Sequence, residues 1–511
     1  MKSYSESTSS FKERLMLFCV IILKLLLSLF PVSYGIFRDE FYYLAMSNRL
    51  GLGYVDVPPL AAWLLAPVRF LGGDSLFSLH LLPAFCGALF LSLAYLLVKK
   101  MGGNEYARFL TLVAVLLAPY YVAIDSIYTY DTYNKLFWLL FSYLMIRLLQ
   151  TEKPKYWIYL GIAAGFGLLA KITLLELGFC WIVGLLLTGK RRLLFRREVI
   201  WGGILALVIS APYLIWQVQH HFITLEYMKN YSGKINDFSL LGYLSEQKDM
   251  LSPATLPLWL CGLGYLLFHH KGRTYRSAGL TYLLLFAISF FMKAKPDFIM
   301  PFYVVLIAAG CVWLGNLLAQ KGFSWLRVGV AVIVIAIGIY ALPLARPLIP
   351  ATAFIKYYGK MSTGSNVERN ALDRLPQFYA DRFGWDELTA TVVKVYRSLP
   401  ENDRTKACIV TGNYGEAGAI EFYGKKLGLP LPPLSGHNQY HVWGPGRFSG
   451  DVAIAVGLSR QLLTEGYREI RPAARFFNPY AMPYERENPI YVCRHPYKRF
   501  PEIKPWLKWL Q

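Results

Sequence analysis

Residues 38–59 read RDEFYYLAMSNRLGLGYVDVPP and lie between two long apolar runs, Leu15–Phe30 and Leu76–Val98. The stretch carries three carboxylates, Asp39, Glu40 and Asp56, with Tyr42, Tyr43, Tyr54 and the rigid pair Pro58-Pro59 around them. A carboxylate beside a bilayer is expensive, so each one needs a partner or a task. The flanking runs decide the fold class, and the polar interruption is where function is sought.

Further apolar runs follow at Tyr106–Tyr121, Leu136–Leu149, Trp157–Ala170, Leu174–Leu187, Ile200–Trp216, Leu256–Phe268, Leu280–Met292, Phe298–Leu318 and Val328–Leu344. Several approach the ~20 residues a spanning helix needs, and together they predict a polytopic α-helical membrane protein with about eleven transmembrane helices. Hydrophobic residues make up 55% of the 511, whereas a soluble core of this size would show shorter, amphipathic segments. No small-residue cleavage site stands out after Phe30, so Leu15–Phe30 reads as an uncleaved first span.

The net charge of +21 sits largely in short loops such as Gly189–Glu198 (GKRRLLFRRE) and His269–Arg276 (HHKGRTYR). That distribution fits the positive-inside rule and contact with anionic membrane lipids, and no nucleic-acid partner is expected. With Lys12 and Arg14 in the cytoplasm, alternation of the spans puts residues 35–75 outside as the first outer loop. It also puts Asp125–Tyr133, Lys171 and Lys293–Asp297 outside.

Beyond Arg346 the long apolar runs stop. Ala407–Thr411 and Val452–Val456 read as buried strands, each followed by a helical pattern, and Ile490–Cys493 as another strand. The expectation is a transmembrane domain over 1–345 and an extracytoplasmic α/β domain over 346–511. Five cysteines lie in apolar runs as small hydrophobes, while Cys408 and Cys493 are able to pair if that second domain is extracytoplasmic.

The outer loops share a chemistry. Asp39, Glu40, Asp56, Asp125 and Asp131 supply carboxylates, Lys171, Lys293 and Lys295 supply cations, and tyrosines crowd the same segments. Lysines suit a phosphate, a carboxylate can take a proton from an attacking hydroxyl, and aromatic faces suit a sugar or an isoprenoid tail. Each feature also has a plainer reading. Asp39-Glu40 suits a helix N-terminus, span-end tyrosines form interfacial belts, and Lys293 and Lys295 can snorkel to headgroups. Asp131 in IYTYDTYNK can be a helix N-cap. His220-His221 with Glu226 holds metal-ligand types, though adjacent histidines point apart on most backbones. Gly412-Asn-Tyr-Gly-Glu-Ala-Gly follows a strand but does not match G-x-G-x-x-G, so it reads as a turn.

RDEFYYLA followed by GYVDVPPLAAWL resembles the GT-C-fold glycosyltransferases of the dolichyl-phosphate-mannose protein mannosyltransferase superfamily, in its bacterial family 39 branch, which includes the aminoarabinose transferases. PYLIWQ at Pro212–Gln217, KAKPDFIMPFY at Lys293–Tyr303, Asn413–Tyr423 and SGHNQYHVWGP at Ser435–Pro445 extend the likeness over most of the chain. The resemblance implies a GT-C fold and inverting transfer from a polyprenyl-phosphate sugar, such as an undecaprenyl-phosphate donor. The implied acceptor is a lipid or glycan, with lipid A, other envelope glycans and protein hydroxyls as candidates. Carried onto these residues, Asp39 is the catalytic base and Glu40 orients it. Lys171, Lys293 and Lys295 bind the donor phosphate, and Tyr42, Tyr43, Tyr54 and Asp131 contact donor or acceptor. Asp56 lies at the phosphate end, and it is also the candidate ligand if a divalent metal cation takes part. Aminoarabinose-transferring relatives carry a lysine directly after that acid, and here it is Val57. The implied location is the bacterial inner membrane, multi-pass, with active site and C-terminal domain extracytoplasmic. The alternative class is a multispan lipid or solute transporter, which would bury paired ionisable residues within its spans. Lys24 and Glu176 are the clearest mid-span charges.

Overall fold

The computed structural model describes residues 2–30, 34–232, 238–321, 323–359, 375–446, 448–498 and 508–510. The chain divides into two compact units. The first comprises Met1–Val32, Val68–Ile215 and Asp237–Ile349, and the second Ser33–Pro67, Trp216–Asn236 and Pro350–Gln511. Residues 34–67 and 216–232 therefore fold with the C-terminal part of the chain.

The first unit is helical. All the apolar runs form helices, among them Leu76–Lys100, Glu105–Leu117, Tyr130–Thr151, Lys155–Ala170, Leu174–Leu186, Leu256–Phe268 and Arg276–Phe291. Among the described residues, four helices are long and apolar enough to cross a membrane: Leu76–Lys100, Arg197–Gln219, Pro296–Ala319 and Trp325–Ala345. A pair bent by 98°, Leu240–Leu251 with Pro253–Phe268, makes a fifth if it counts as one span. This is a multi-pass membrane protein. Several of the remaining apolar helices are short. At ~1.5 Å per residue, the 13 residues of Leu174–Leu186 reach only about 20 Å against ~30 Å of hydrocarbon. Small residues bring helix backbones together inside the unit. A Cβ at Gly262 would meet the Leu306 carbonyl oxygen at 1.9 Å, and one at Gly310 would meet that of Leu258 at 1.9 Å. Such backbone-to-backbone packing is how helices associate where the hydrophobic effect gives no help.

The second unit holds a five-stranded sheet. Its strands are β1 Ala407–Thr411, β2 Pro433–Ser435, β3 Val452–Val456, β4 Tyr467–Phe477 and β5 Glu487–Pro496, in the order β2-β1-β3-β5-β4. β1 runs parallel to β2 and β3, and β5 runs antiparallel to β3 and β4. β1 and β3 are buried along their whole length, as their unbroken apolar runs require. Helix Tyr414–Lys426 connects β1 to β2, and Arg460–Gly466 follows β3. Ala453 pairs with both Cys408 and Cys493, which puts the two cysteines two strands apart. At ~4.8 Å per strand their Cα atoms are about 10 Å apart, beyond the ~7 Å a disulfide tolerates. Both thiols are free and buried.

Glycines explain why the acid-bearing stretch folds here. Helix Arg38–Asn48 lies against helix Tyr414–Lys426, where a Cβ on Gly415 would fall 2.4 Å from Arg38 Cγ and one on Gly418 would fall 2.7 Å from Phe41 Cβ. The glycine-rich segment after β1 is thus a docking surface for the helix that starts with the acid pair.

Candidate functional site

Asp39 and Glu40 occupy the first turn of helix Arg38–Asn48, and they face different ways. Glu40 is buried, and its Oε2 accepts from the Phe37 N–H at 2.8 Å, so it caps its own helix. The buried Arg382 guanidinium is its counter-charge. Asp39 keeps 40% of its side chain exposed. Its Oδ1 accepts from the Tyr414 hydroxyl at 2.7 Å and, at longer range, from Arg38 Nε at 3.4 Å. Arg38 also donates through Nη2 to the Tyr414 hydroxyl at 3.2 Å and through Nη1 to the Tyr484 hydroxyl. Its Nη1 lies 3.7 Å from Asp381 Oδ2. Burial pushes the Asp381 carboxyl up to about 7, against the pull of Arg38.

Asp56 is held by neutral donors. Tyr42 donates its hydroxyl proton to Asp56 Oδ1 at 2.8 Å and accepts from the Gln439 N–H at 2.8 Å. Asn438 Nδ2 donates to Asp56 Oδ2 at 3.0 Å. Burial pushes the Asp56 carboxyl up to about 7, with Tyr42 and Asn438 opposing and the charge of Asp39 adding to the rise. The Tyr42 phenol is raised well above its ordinary value by burial and by Asp56. The Tyr42 ring stacks on Tyr414 at 4.7 Å, Tyr414 meets His437 at 4.8 Å, and His437 stacks on Trp509 at 4.2 Å. The loop carrying Asp56 is fixed by Val55, whose N–H donates to Gln439 Oε1 at 3.0 Å and whose carbonyl accepts from Thr224 Oγ1 at 2.7 Å.

Two of the other expected contacts are structural in placement. The Tyr54 hydroxyl accepts from the Gly51 N–H at 3.1 Å and donates to the Met46 carbonyl at 3.2 Å, closing its own loop. Tyr43 is buried in its helix. Among the described residues no three His, Cys, Asp or Glu side chains gather as a metal site. Both Asp56 oxygens accept hydrogen bonds from neutral donors. His220 stacks on Trp216 at 4.1 Å while Glu226 pairs with Lys508 at 2.8 Å, so those groups do not converge either.

The first unit holds the remaining residues. Lys171 Nζ lies 2.7 Å from Asp131 Oδ1 and 4.7 Å from the centres of the Tyr130 and Phe298 rings. Asp131 is not the N-cap of its helix. Thr129 is, with its side chain accepting from the Asp131 N–H. Asp297 and Lys295 lie within electrostatic reach of this pair or of each other. Lys293 is exposed, with the left-handed φ of 50° at the end of helix Arg276–Phe291. Asp125, grouped above with the outer carboxylates, is instead fully buried between Lys24 Nζ at 2.7 Å and Lys135 Nζ at 2.5 Å.

Sequence reasoning missed Arg38, Tyr414, Asn438 and Asp381 as parts of the site. Tyr414 and Asn438 lie in the motifs quoted above, Asn413–Tyr423 and SGHNQYHVWGP, so a signal was present for them. Asp381 carries none.

Residues 56–216 match the family described as dolichyl-phosphate-mannose-protein mannosyltransferase. That stretch includes Asp56, Asp131 and Lys171 and begins after Asp39. Two crystal structures of ArnT from Cupriavidus metallidurans share the fold. The one bound to undecaprenyl phosphate aligns with a TM-score of 0.58 at 14% identity, over 94% of this chain and 97% of that one. The apo form gives 0.59 at 14% identity, over 95% and 98%. The chain is similar to GT-C-fold glycosyltransferases and shares the fold of these structures. Among curated relatives, the lipid A galacturonosyltransferase RgtD of Rhizobium johnstonii is 26% identical, over 38% of this chain and 41% of its own length. The undecaprenyl phosphate-α-4-amino-4-deoxy-L-arabinose arabinosyl transferase of Pseudomonas aeruginosa is 27% identical, over 58% of each chain. The chain thus spans about half the length of these curated relatives.

Proposed function

We propose that this GT-C-fold protein moves a sugar from an undecaprenyl-phosphate donor to a hydroxyl of an envelope acceptor, with inversion. One observation carries the reading: a half-exposed carboxylate, Asp39, is aimed by Tyr414 and Arg38 while keeping lone pairs free. That is the arrangement a general base needs. The acceptor oxygen attacks the anomeric carbon, its proton passes to Asp39, and the bond to the phosphate oxygen breaks with its electron pair leaving on the polyprenyl phosphate. Asp56, with a carboxyl that burial pushes up to about 7, is suited to the phosphate end because its neutral form does not repel an anion. This accounts for Val57 where aminoarabinose-transferring relatives are expected to carry a lysine. Lys171, Lys293 and Lys295 of the first unit carry positive charge of the kind that suits a phosphate. The shorter apolar helices are proposed to cross as well, with the bilayer thinning locally around them, giving about eleven spans. Basic loops on one side support an inner-membrane orientation with the second unit extracytoplasmic. The names of the relatives support lipid A as an acceptor and galacturonic acid or aminoarabinose as sugars to try first.

The test is a donor-cleavage assay. Purified full-length protein is incubated with undecaprenyl-phosphate-linked sugars and lipid A, and free undecaprenyl phosphate and modified lipid A are measured. Release that depends on Asp39 supports the reading, and no release from any donor overturns it. A second reading as a transporter draws on one feature, the buried Lys24–Asp125–Lys135 cluster. Movement of substrate across liposomes without bond cleavage would favour it.

A further inference from the structure

Two buried carboxyl groups of the second unit have no part in the chemistry above. Glu416 is 1% exposed and Glu485 is 4% exposed. One amide nitrogen bridges them: Asn488 Nδ2 donates to Glu416 Oε1 at 2.9 Å and to Glu485 Oε2 at 3.0 Å. Glu416 Oε2 accepts from the N–H groups of Gly412 at 2.8 Å and Asn413 at 3.3 Å. Glu485 Oε1 accepts from Asn413 Nδ2 at 2.7 Å. The turn after β3 closes over Glu416, where a Cβ on Gly457, at φ 67°, would fall 1.9 Å from Oε1.

Two carboxylates held on one amide nitrogen, with almost no water around them, repel each other strongly when both are ionised. Burial raises Glu416 well above the ordinary carboxylate range, and Glu485 adds to the rise. Burial also raises Glu485, with Arg38 and the amides of Asn488 and Asn413 pulling the other way. The charged groups acting on the pair are Arg38 and, through its repulsion with Glu485, Asp381. The other partners named here are neutral amides.

The positions of the two glutamates give the pair a consequence. Glu416 follows Tyr414 by two residues, and Glu485 follows Tyr484 directly. Tyr414 donates to Asp39, and Tyr484 accepts from Arg38. The two segments come from distant parts of the chain, and the bridged carboxyls join them. We infer that Glu416 and Glu485 share one proton, and that this proton clamps Tyr414 and Tyr484 onto Arg38 and Asp39. Both glutamates are then positioning residues for the proposed base. With the proton gone, two buried anions repel each other, the segments part, and Asp39 loses the hydroxyl that aims it.

The inference rests on the assignment of Asp39 as base, so its test has one arm that needs no activity. Hydrogen exchange is followed in the full-length protein over the peptides covering Arg38–Asn48 and 412–418, from mildly acidic to mildly alkaline pH, after correction for intrinsic rates. In the wild type, protection of both peptides should fall severalfold with rising pH. E416Q should keep it, because an amide donates at every pH, and E416A should lack it throughout. Identical pH dependence in wild type and E416Q overturns the clamp, and E485Q gives the same reading if E416Q fails to fold. In the second arm, the alkaline limb of donor cleavage should move in E416Q relative to wild type. An unmoved limb overturns the positioning role even where exchange supports the clamp. Absence of cleavage by the wild type overturns the transferase reading, while the exchange result still decides the clamp.

Discussion

Asp39 and Asp125 are both aspartates of a membrane protein, and their surroundings could hardly differ more. Asp125 is fully buried with a lysine ammonium on each oxygen, at 2.7 and 2.5 Å. Asp39 is 40% exposed, and its strongest partner is a phenol at 2.7 Å. A carboxylate clasped by two cations in a low dielectric holds structure together. One aimed by a hydroxyl and a more distant guanidinium keeps lone pairs for a substrate proton. Asp131 stands between the two, paired with one lysine at 2.7 Å and 15% exposed. What surrounds a carboxylate, and not its place in a loop, separates the proposed base from the structural acid.

The largest expected effect breaks the comparison at Asp39. The D39N protein should fold and insert as the wild type does, yet lose donor cleavage by about 10²- to 10⁴-fold, the usual worth of a positioned base. Activity within a few-fold of wild type would move the base elsewhere. The complementary substitution, D125N, leaves Lys24 and Lys135 buried without their counter-ion. It should destabilise the protein by about 3–5 kcal/mol, read as a lowered thermal midpoint in detergent. Whatever folded D125N survives should retain its specific activity. A normal midpoint combined with lost cleavage would reverse the roles of the two aspartates.

Asp56 sharpens the comparison through pH. Its folded value of about 7 lies above the ordinary 3.8. Between those values the folded state holds a proton that the unfolded chain has released, so stability falls as pH rises. The contribution is complete below the ordinary carboxylate range and is lost as pH climbs through about 7. Asp381, pushed to about 7 by the same cause, acts in the same direction. Thermal midpoints should therefore decline from acidic to neutral pH, and D56N should decline less steeply. If the neutral form serves the phosphate, cleavage by the wild type should also lose a step through about 7 that D56N removes, separate from the alkaline step that E416Q shifts. Parallel midpoint curves would mean that Asp56 is ionised in the folded protein.

Much of this was legible in the sequence because the signals were local. Apolar runs gave the helices, and the unbroken ACIVT and VAIAV segments gave the two buried strands. The acid pair marked the stretch proposed as the site. What was not legible depends on contacts between distant segments. Nothing near Asp39 says that Tyr414, hundreds of residues away, donates to it, or that Glu40 turns inward to cap its own helix. The glycines at 415 and 418 read as a turn, although their use is to admit Arg38 and Phe41. Asp125 looked like an outer-loop acid because its partners, Lys24 and Lys135, lie on two other helices.

The smallest expected effect concerns Lys293. Helix Arg276–Phe291 ends in a Schellman motif, with the Ala294 N–H donating to the Ser289 carbonyl at 2.8 Å and the Lys293 N–H to that of Phe290 at 3.0 Å. Lys293 occupies the left-handed position where glycine is the usual residue, at φ 50°. A side chain there costs about 1 kcal/mol, and a strained residue is retained where the side chain has work to do. K293G should therefore raise the stability of the folded protein by about 1 kcal/mol while weakening donor use. Thermal midpoint and the KM for the undecaprenyl-phosphate sugar, measured on one preparation, separate the two effects. A more stable K293G with an unchanged KM would leave Lys293 as a helix terminus only, and the phosphate charge would then rest on Lys295 and on a Lys171 already paired with Asp131.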